Sequence, residues 1–183
     1  MIDYIKGTLV QLTPAFLTIE TGGIGYYLNI SLTTYSKLEG KTEVKILVHE
    51  VIREDSHQLF GFADKEEREI FRLLISVTGV GASTARMMLS SLTPGELEKA
   101  IIGAEVNVLQ GVKGIGLKTA QRIIVDLKDK LGKHAGTGEI FTFSDNTRRE
   151  EALSALVMLG FAKSAVSKVL DKIVREDKGL TVE

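Results

Sequence analysis

Residues 77–85 read VTGVGASTA and residues 112–120 read VKGIGLKTA, one nine-residue phrase written twice with a spacing of 35. Aligning 74–92 with 109–127 gives seven identities in nineteen positions: Leu74/Leu109, Val77/Val112, Gly79/Gly114, Gly81/Gly116, Thr84/Thr119, Ala85/Ala120 and Leu92/Leu127. A duplicated helical unit is the simplest source of such a match, so whatever the phrase does, it is expected to do twice. In each copy GxG lies between two helical stretches, where glycine permits a positive φ and lets another backbone approach without a Cβ in the way. The first turn of the helix that follows points unpaired N–H groups outward at the positive end of its dipole, a ready anion site. Ala85 and Ala120 are small where the two helices of each unit should cross. This is the pattern of a helix-hairpin-helix, which holds a DNA backbone and reads no base.

A single VxGxG would be read as a helix C-cap with no ligand; the tandem copy reverses that preference. A sharper rival is GVKGIGLKT, Gly111 to Thr119, one residue away from the phosphate-binding pattern GxxxxGK[ST]. Leu117 stands where the lysine should be, and the reach of that lysine depends on fixed spacing. Ile123 to Asp126 imitates the acidic strand of a nucleotide hydrolase, but within the same helical stretch, with no room for a crossover between parallel strands. ATP hydrolysis by this chain is not expected.

Charge favours DNA over nucleotide only locally. The net charge is -1, with five basic and seven acidic residues over 1–63, ten and nine over 64–131, and eight and eight over 132–183. Residues 109–130 nevertheless carry Lys113, Lys118, Arg122, Lys128 and Lys130 against Asp126 and Asp129. Part of that surplus is an ordinary solvated helix face, but Lys113 and Lys118 flank the glycines where a phosphate would sit. The predicted phosphate-binding residues are Gly79, Gly81, Ser83, Gly114, Gly116 and Lys118, with Thr84, Thr119, Lys113 and Arg122 beside them.

The rest of the chain divides by period. Over 1–63, short β-type runs punctuated by glycine alternate in Tyr26, Leu28, Ile30 and in Val44, Ile46, Val48. About five strands, with a short helix near Thr33 to Leu38, predict a Greek-key barrel of OB type. From Asp64 the period is helical to residue 131, with capping boxes expected at Asp64/Glu67 and Thr93/Glu96 and an apolar stripe of Ile70, Phe71, Leu74 and Val77. Residues 132–145, GKHAGTGEIFTFSD, read as a flexible linker, and 146–183 as a small helical module of UBA-like type. The predicted class is α+β with three modules. No apolar run approaches the ~18 residues of a membrane span, and the N-terminus lacks a signal-peptide pattern. There is no cysteine, and His49, His57 and His134 are widely separated. A cytoplasmic protein is expected, with no metal, no cofactor and no catalytic residues.

The order of barrel, tandem hairpins, glycine-rich linker and helical tail resembles the RuvA family, the Holliday-junction-binding subunit of the bacterial RuvAB branch-migration complex. The segments that carry the resemblance are REDSHQLFGF, FRLLISVTGVGASTARMMLSSL, GVKGIGLKTAQRIIVDLKDKL and EEALSALVMLGF, spread over nearly the whole chain. The resemblance implies a non-catalytic DNA-binding subunit of an ATP-driven helicase complex acting in recombination and repair within the SOS response. It implies four subunits in a square around a four-way junction, with or without a second tetramer on the other face. A RuvB-type ATPase would be recruited by the tail through Leu156, Leu159, Phe161 and Val166, and a RuvC-type resolvase is a further implied partner.

Within the turn Arg53 to Ser56, Glu54 and Asp55 match the family's acidic pin. Read from residues alone this is a solvated hairpin tip; at a fourfold centre the acids would repel phosphates and favour splayed strands. Two departures stand out. The family often has lysine where this chain has Ser83, so the first clip would lean on backbone N–H groups. GLTVE at 179–183 reads as the opening of a third tail helix, an expectation of a tail either truncated or naturally brief. The alternative reading is a hairpin-bearing, duplex-binding adaptor for a nuclease or polymerase.

Overall fold

The structure, a computed structural model, describes residues 1–135 and, beyond them, the positions of Leu156, Val166 and Val169. The chain divides into two compact units, Met1–Gly136 and Thr137–Glu183. In the first unit, strands β1 (Tyr4–Leu12), β2 (Phe16–Thr21), β3 (Ile24–Asn29), β4 (Glu43–Ile52) and β5 (His57–Phe62) close into a barrel of order β1-β2-β3-β5-β4. A single parallel pairing, Asn29 with Phe60, closes it, while all other neighbours are antiparallel. The alternation expected from sequence sets the interior: Ile5, Leu17, Ile19, Leu28, Ile30, Val44, Ile46 and Val48 are all buried in one cluster. Helix α1 (Leu32–Leu38) lies between β3 and β4, where Ser31 caps its first turn by accepting from the Thr34 N–H.

Helices α2 (Lys65–Ile75), α3 (Ala82–Ser91), α4 (Pro94–Ile102), α5 (Val106–Gln110) and α6 (Leu117–Ala135) follow. The expected stripe of Ile70, Phe71, Leu74 and Val77 is buried, and Thr93 and Glu96 form the expected capping box behind Pro94. Two expectations need correction. Helix α6 runs through Gly132 to Ala135, so the first four residues assigned to the linker are helical. One glycine costs only about 1 kcal/mol in a helix interior, and Ile123, Ile124, Leu127 and Leu131 anchor the preceding turns in the core. At Asp64 only half of the expected capping box forms. Asp64 accepts from the Glu67 N–H at 2.9 Å, but the Glu67 carboxylate turns away toward the start of α1.

That turn joins barrel and helices. Residues Phe60 and Phe62 of β5 leave the barrel interior to pack on Phe71, with ring centroids 5.2 and 4.9 Å apart. Gly61 between them faces inward, where a Cβ would lie 2.9 Å from Ile46. Accordingly both faces of this strand are used, one for each core. Beside the rings, Glu67 accepts hydrogen bonds from the hydroxyls of Ser31 and Thr34, the latter at 2.7 Å. Thr34 also accepts from the Ala63 N–H at 3.1 Å. The adjacent Arg68 is buried and donates to Asp3 Oδ1 at 2.7 Å and to the Asp3 carbonyl at 2.9 Å. Lys37 pairs with Asp64 at the rim.

Burial pushes the Glu67 carboxyl above the usual carboxylate range, while its two hydroxyl donors pull it partly back. A carboxyl whose folded-state value is raised contributes its stability below the unfolded value and loses it as pH rises through the folded one. The thermal midpoint of the parent chain should therefore fall as pH rises above about 4.5, and Glu67→Gln should flatten that fall. Glu67→Ala should instead destabilise at every pH by about 1–3 kcal/mol, since two buried hydroxyls lose their acceptor. Thermal melts of the three proteins across the pH range check both outcomes.

Candidate nucleic-acid interface

The two GxG turns fold alike, bond for bond. In the first, between α2 and α3, the Val77 N–H donates to Leu74 at 3.1 Å, Val80 to Val77 at 3.0 Å and Ala85 to Gly81 at 2.9 Å. In the second, between α5 and α6, Val112 donates to Leu109 at 3.2 Å, Ile115 to Val112 at 3.1 Å and Ala120 to Gly116 at 2.9 Å. Val77, Val80 and Ala85 are buried, as are Val112, Ile115 and Ala120, which pins each turn to the core by the same three positions. Gly79 has φ 94 and Gly114 φ 93, a conformation that needs glycine.

The second glycine of each pair differs in kind. Gly81 has φ -86 and ψ 167, ordinary extended geometry, and a Cβ added at either Gly81 or Gly116 would meet nothing within 4 Å. Neither internal crowding nor backbone strain calls for glycine there. What these residues leave is a bare backbone edge at the start of a helix. No side chain caps the first turn of α3 at Gly81, so its leading N–H groups stay available to an anion.

Gly79, Gly81, Ser83, Lys113, Gly114, Gly116, Lys118 and Arg122 are all exposed, and Thr84 and Thr119 are half-buried. The turns differ in charge. Lys113, Lys118 and Arg122 surround the second, and among the described residues none of them makes an ion pair. The first has only Arg86 between residues 77 and 92, and that side chain is engaged with the barrel. One position breaks the match: Ala82 is buried, whereas its counterpart Leu117 is 51% exposed.

Glu54 and Asp55 project at the tip of the β4–β5 hairpin, both exposed, with the Arg53 N–H donating to Ser56 at 2.8 Å to close the turn. At its base, Glu50 lies 3.8 Å from the N-terminal amine and 3.6 Å from His57 Nε2. In the tail, Leu156 is helical and half-buried, and Val169 is helical and 57% exposed. Val166, expected on an apolar docking surface, is helical and 7% exposed. Leu159 and Phe161 lie outside the described residues. Sequence reasoning missed the buried charged residues Glu67 and Arg68 and the half-buried Arg86. Glu67 looked like a cap residue, and nothing in the local pattern distinguishes a charge that will meet the barrel from one that will meet water.

The glycine geometry separates two classes of variant. Gly79→Ala and Gly114→Ala should each cost about 1 kcal/mol or more, because an L residue is strained at that φ. Gly81→Ala and Gly116→Ala should change stability by less than about 1 kcal/mol. Denaturant titration of the four variants measures the contrast.

Comparison with known proteins agrees with this division of the chain. A family model for the RuvA N-terminal domain matches residues 1–61, one for a SAM-like tandem helix-hairpin-helix matches 71–129, and one for the RuvA C-terminal domain matches 147–183. The Holliday junction branch migration complex subunit RuvA of Christiangramia forsetii is 55% identical over 183 residues, covering 100% of this chain and 95% of the relative. The proteins of that name from Parabacteroides distasonis and Bacteroides thetaiotaomicron are 55% and 50% identical, again over 100% of this chain and 95% of each relative. With three models in order along its length and relatives at half identity from end to end, the chain belongs to the RuvA family.

Proposed function

We propose that this chain is the non-catalytic subunit that binds four-way DNA junctions in a branch-migration complex, gripping phosphates without reading bases. The observation that carries the reading is the pair Gly81 and Gly116, glycines that the fold itself does not require. A DNA backbone approaching the bare helix starts gives them a reason, since a Cβ there would stand between phosphate and N–H. Gly79, Gly114, Ser83, Thr84 and Thr119 complete the two clips, and Lys113, Lys118 and Arg122 add attraction at the second. The names of the relatives support the substrate, since each is a Holliday junction branch migration complex subunit.

Glu54 and Asp55 supply selection. In a homotetramer, four such tips around one centre would repel the phosphates of a continuous duplex but tolerate a junction whose strands are already spread. Doubling to an octamer would enclose the DNA from both faces. The tail would dock a RuvB-type ATPase, with Leu156 and Val169 as its described half-buried and exposed apolar residues, and the tetramer alone would leave a RuvC-type resolvase access to the uncovered face of the DNA.

Gel-shift comparison of a four-way junction with duplex of equal length should show a strong junction preference that does not depend on base sequence. The log-log salt slope should be steep, about -0.9 for each phosphate neutralised. Gly81→Ala and Gly116→Ala should weaken both complexes, and changing Glu54 to Gln together with Asp55 to Asn should strengthen duplex binding and shrink the preference. A shallow slope, or a preference untouched by the pin variant, overturns the assignment.

Truncation after Gly136 should leave junction affinity unchanged while abolishing stimulation of a RuvB-type ATPase, as measured by phosphate release. Loss of junction binding on truncation would reject the modular division of labour.

A further inference from the structure

The two clips are held to the barrel differently. Arg86, on the second turn of α3, donates through Nη1 to the carbonyls of Ala15 at 2.9 Å and Ile30 at 3.2 Å. The far end of α3 is fastened as well: Thr33 Oγ1 donates to the Leu89 carbonyl at 2.7 Å, and the Leu32 N–H to Ser90 Oγ at 3.1 Å. Among the described residues no hydrogen bond joins α5 or α6 to the barrel, and the counterpart of Arg86 in the second unit, Gln121, is exposed. The duplication therefore has one fastened copy and one that rests on the helical core alone.

The fastened copy is also the one that lacks free charge, and its attachment leads to the pin. Ile30 follows β3, whose Asn29 pairs with Phe60 of β5 and donates from Nδ2 to the Leu59 carbonyl at 3.3 Å. Strand β5 begins at His57, directly after the turn that carries Glu54 and Asp55. From the first clip to the acidic tip the path runs through two hydrogen bonds, Arg86 to the Ile30 carbonyl and Asn29 to the Leu59 carbonyl, joined by short stretches of chain.

We propose that Arg86 is a positioning residue that fixes the first clip relative to the acidic pin. The first clip then sets where the pin falls on the DNA, while the second, with Lys113, Lys118 and Arg122, supplies most of the charge-dependent grip. This rests on the junction-binding reading above and adds to it a division of work between the two copies.

The test uses the full chain. Arg86→Met keeps the aliphatic stem and removes the donors; Thr33→Val removes the hydroxyl at nearly constant shape and stands in if the first variant fails to fold. Junction and duplex affinities are measured at matched salt, with salt slopes. The expected result is duplex affinity within about twofold of the parent and a junction-to-duplex ratio lowered roughly fivefold to tenfold, the scale of one net hydrogen bond. The salt slope should stay the same, and the pin double variant should show no further loss of the ratio when Arg86→Met is added to it.

An unchanged ratio in the variants, with the parent still preferring junctions, overturns the inference and leaves the junction reading intact; a lower melting temperature alone would then be the whole effect of Arg86. Equal loss on both DNAs with a shallower salt slope makes Arg86 a phosphate contact and also overturns it. A parent chain with no junction preference overturns both.

Discussion

Phe71 and Glu67 lie one turn apart on α2, and the placement of the helices on the barrel depends on what those two residues touch. The ring packs between Phe60 and Phe62 of β5, so one strand belongs to two cores at once. An aromatic side chain in such a place is worth roughly 3–5 kcal/mol by truncation, but apolar packing alone tolerates sliding. The carboxylate supplies direction: its two hydroxyl partners on and beside α1 can be met in only one orientation of α2. A buried carboxyl is costly unless hydrogen-bonded, so any orientation that broke those contacts would be strongly disfavoured. Arg68 acts in the same way toward Asp3 and the Val48 carbonyl.

With that seam in place, the duplicated hairpins become two sites in different settings. Their backbones superpose in pattern to the level of single hydrogen bonds, because the same buried valine, branched and alanine positions impose the same turn. Their surroundings diverge because only the first sits against the barrel. Its one arginine is turned inward to carbonyl groups, while the second keeps its cations in solvent. Duplication supplied the geometry twice, and contact with a third element differentiated the copies.

The net charge of -1 is compatible with a DNA-binding surface because the charges are sorted by element. Acidic residues at the β4–β5 tip and basic residues around α6 occupy different parts of one compact unit. Electrostatic attraction to a phosphate weakens within about one Debye length, ~8 Å at physiological salt. The sign of the nearest group therefore matters more than the sum.

Much of this was legible in the sequence. Alternation in Leu28, Ile30, Ile46 and Val48 predicts inward faces because a strand repeats every two residues, and the first glycine of each GxG, Gly79 and Gly114, predicts its turn because glycine readily takes that φ. The pin turn was legible by the same local logic. The end of α6 was misplaced since a glycine in a long helix costs little when the preceding turns are well packed. For Val166, which is 7% exposed, hydrophobicity says that a residue will be covered but not by what. The joint was invisible for a deeper reason. Glu67, Arg68 and Arg86 have partners 20 to 71 residues away, and no local pattern encodes which side of a helix will meet a barrel built from another part of the chain. Secondary structure and turns follow from neighbours in sequence; the orientation of α2 and α3 on the barrel follows from long-range hydrogen bonds that exist only after the chain has folded.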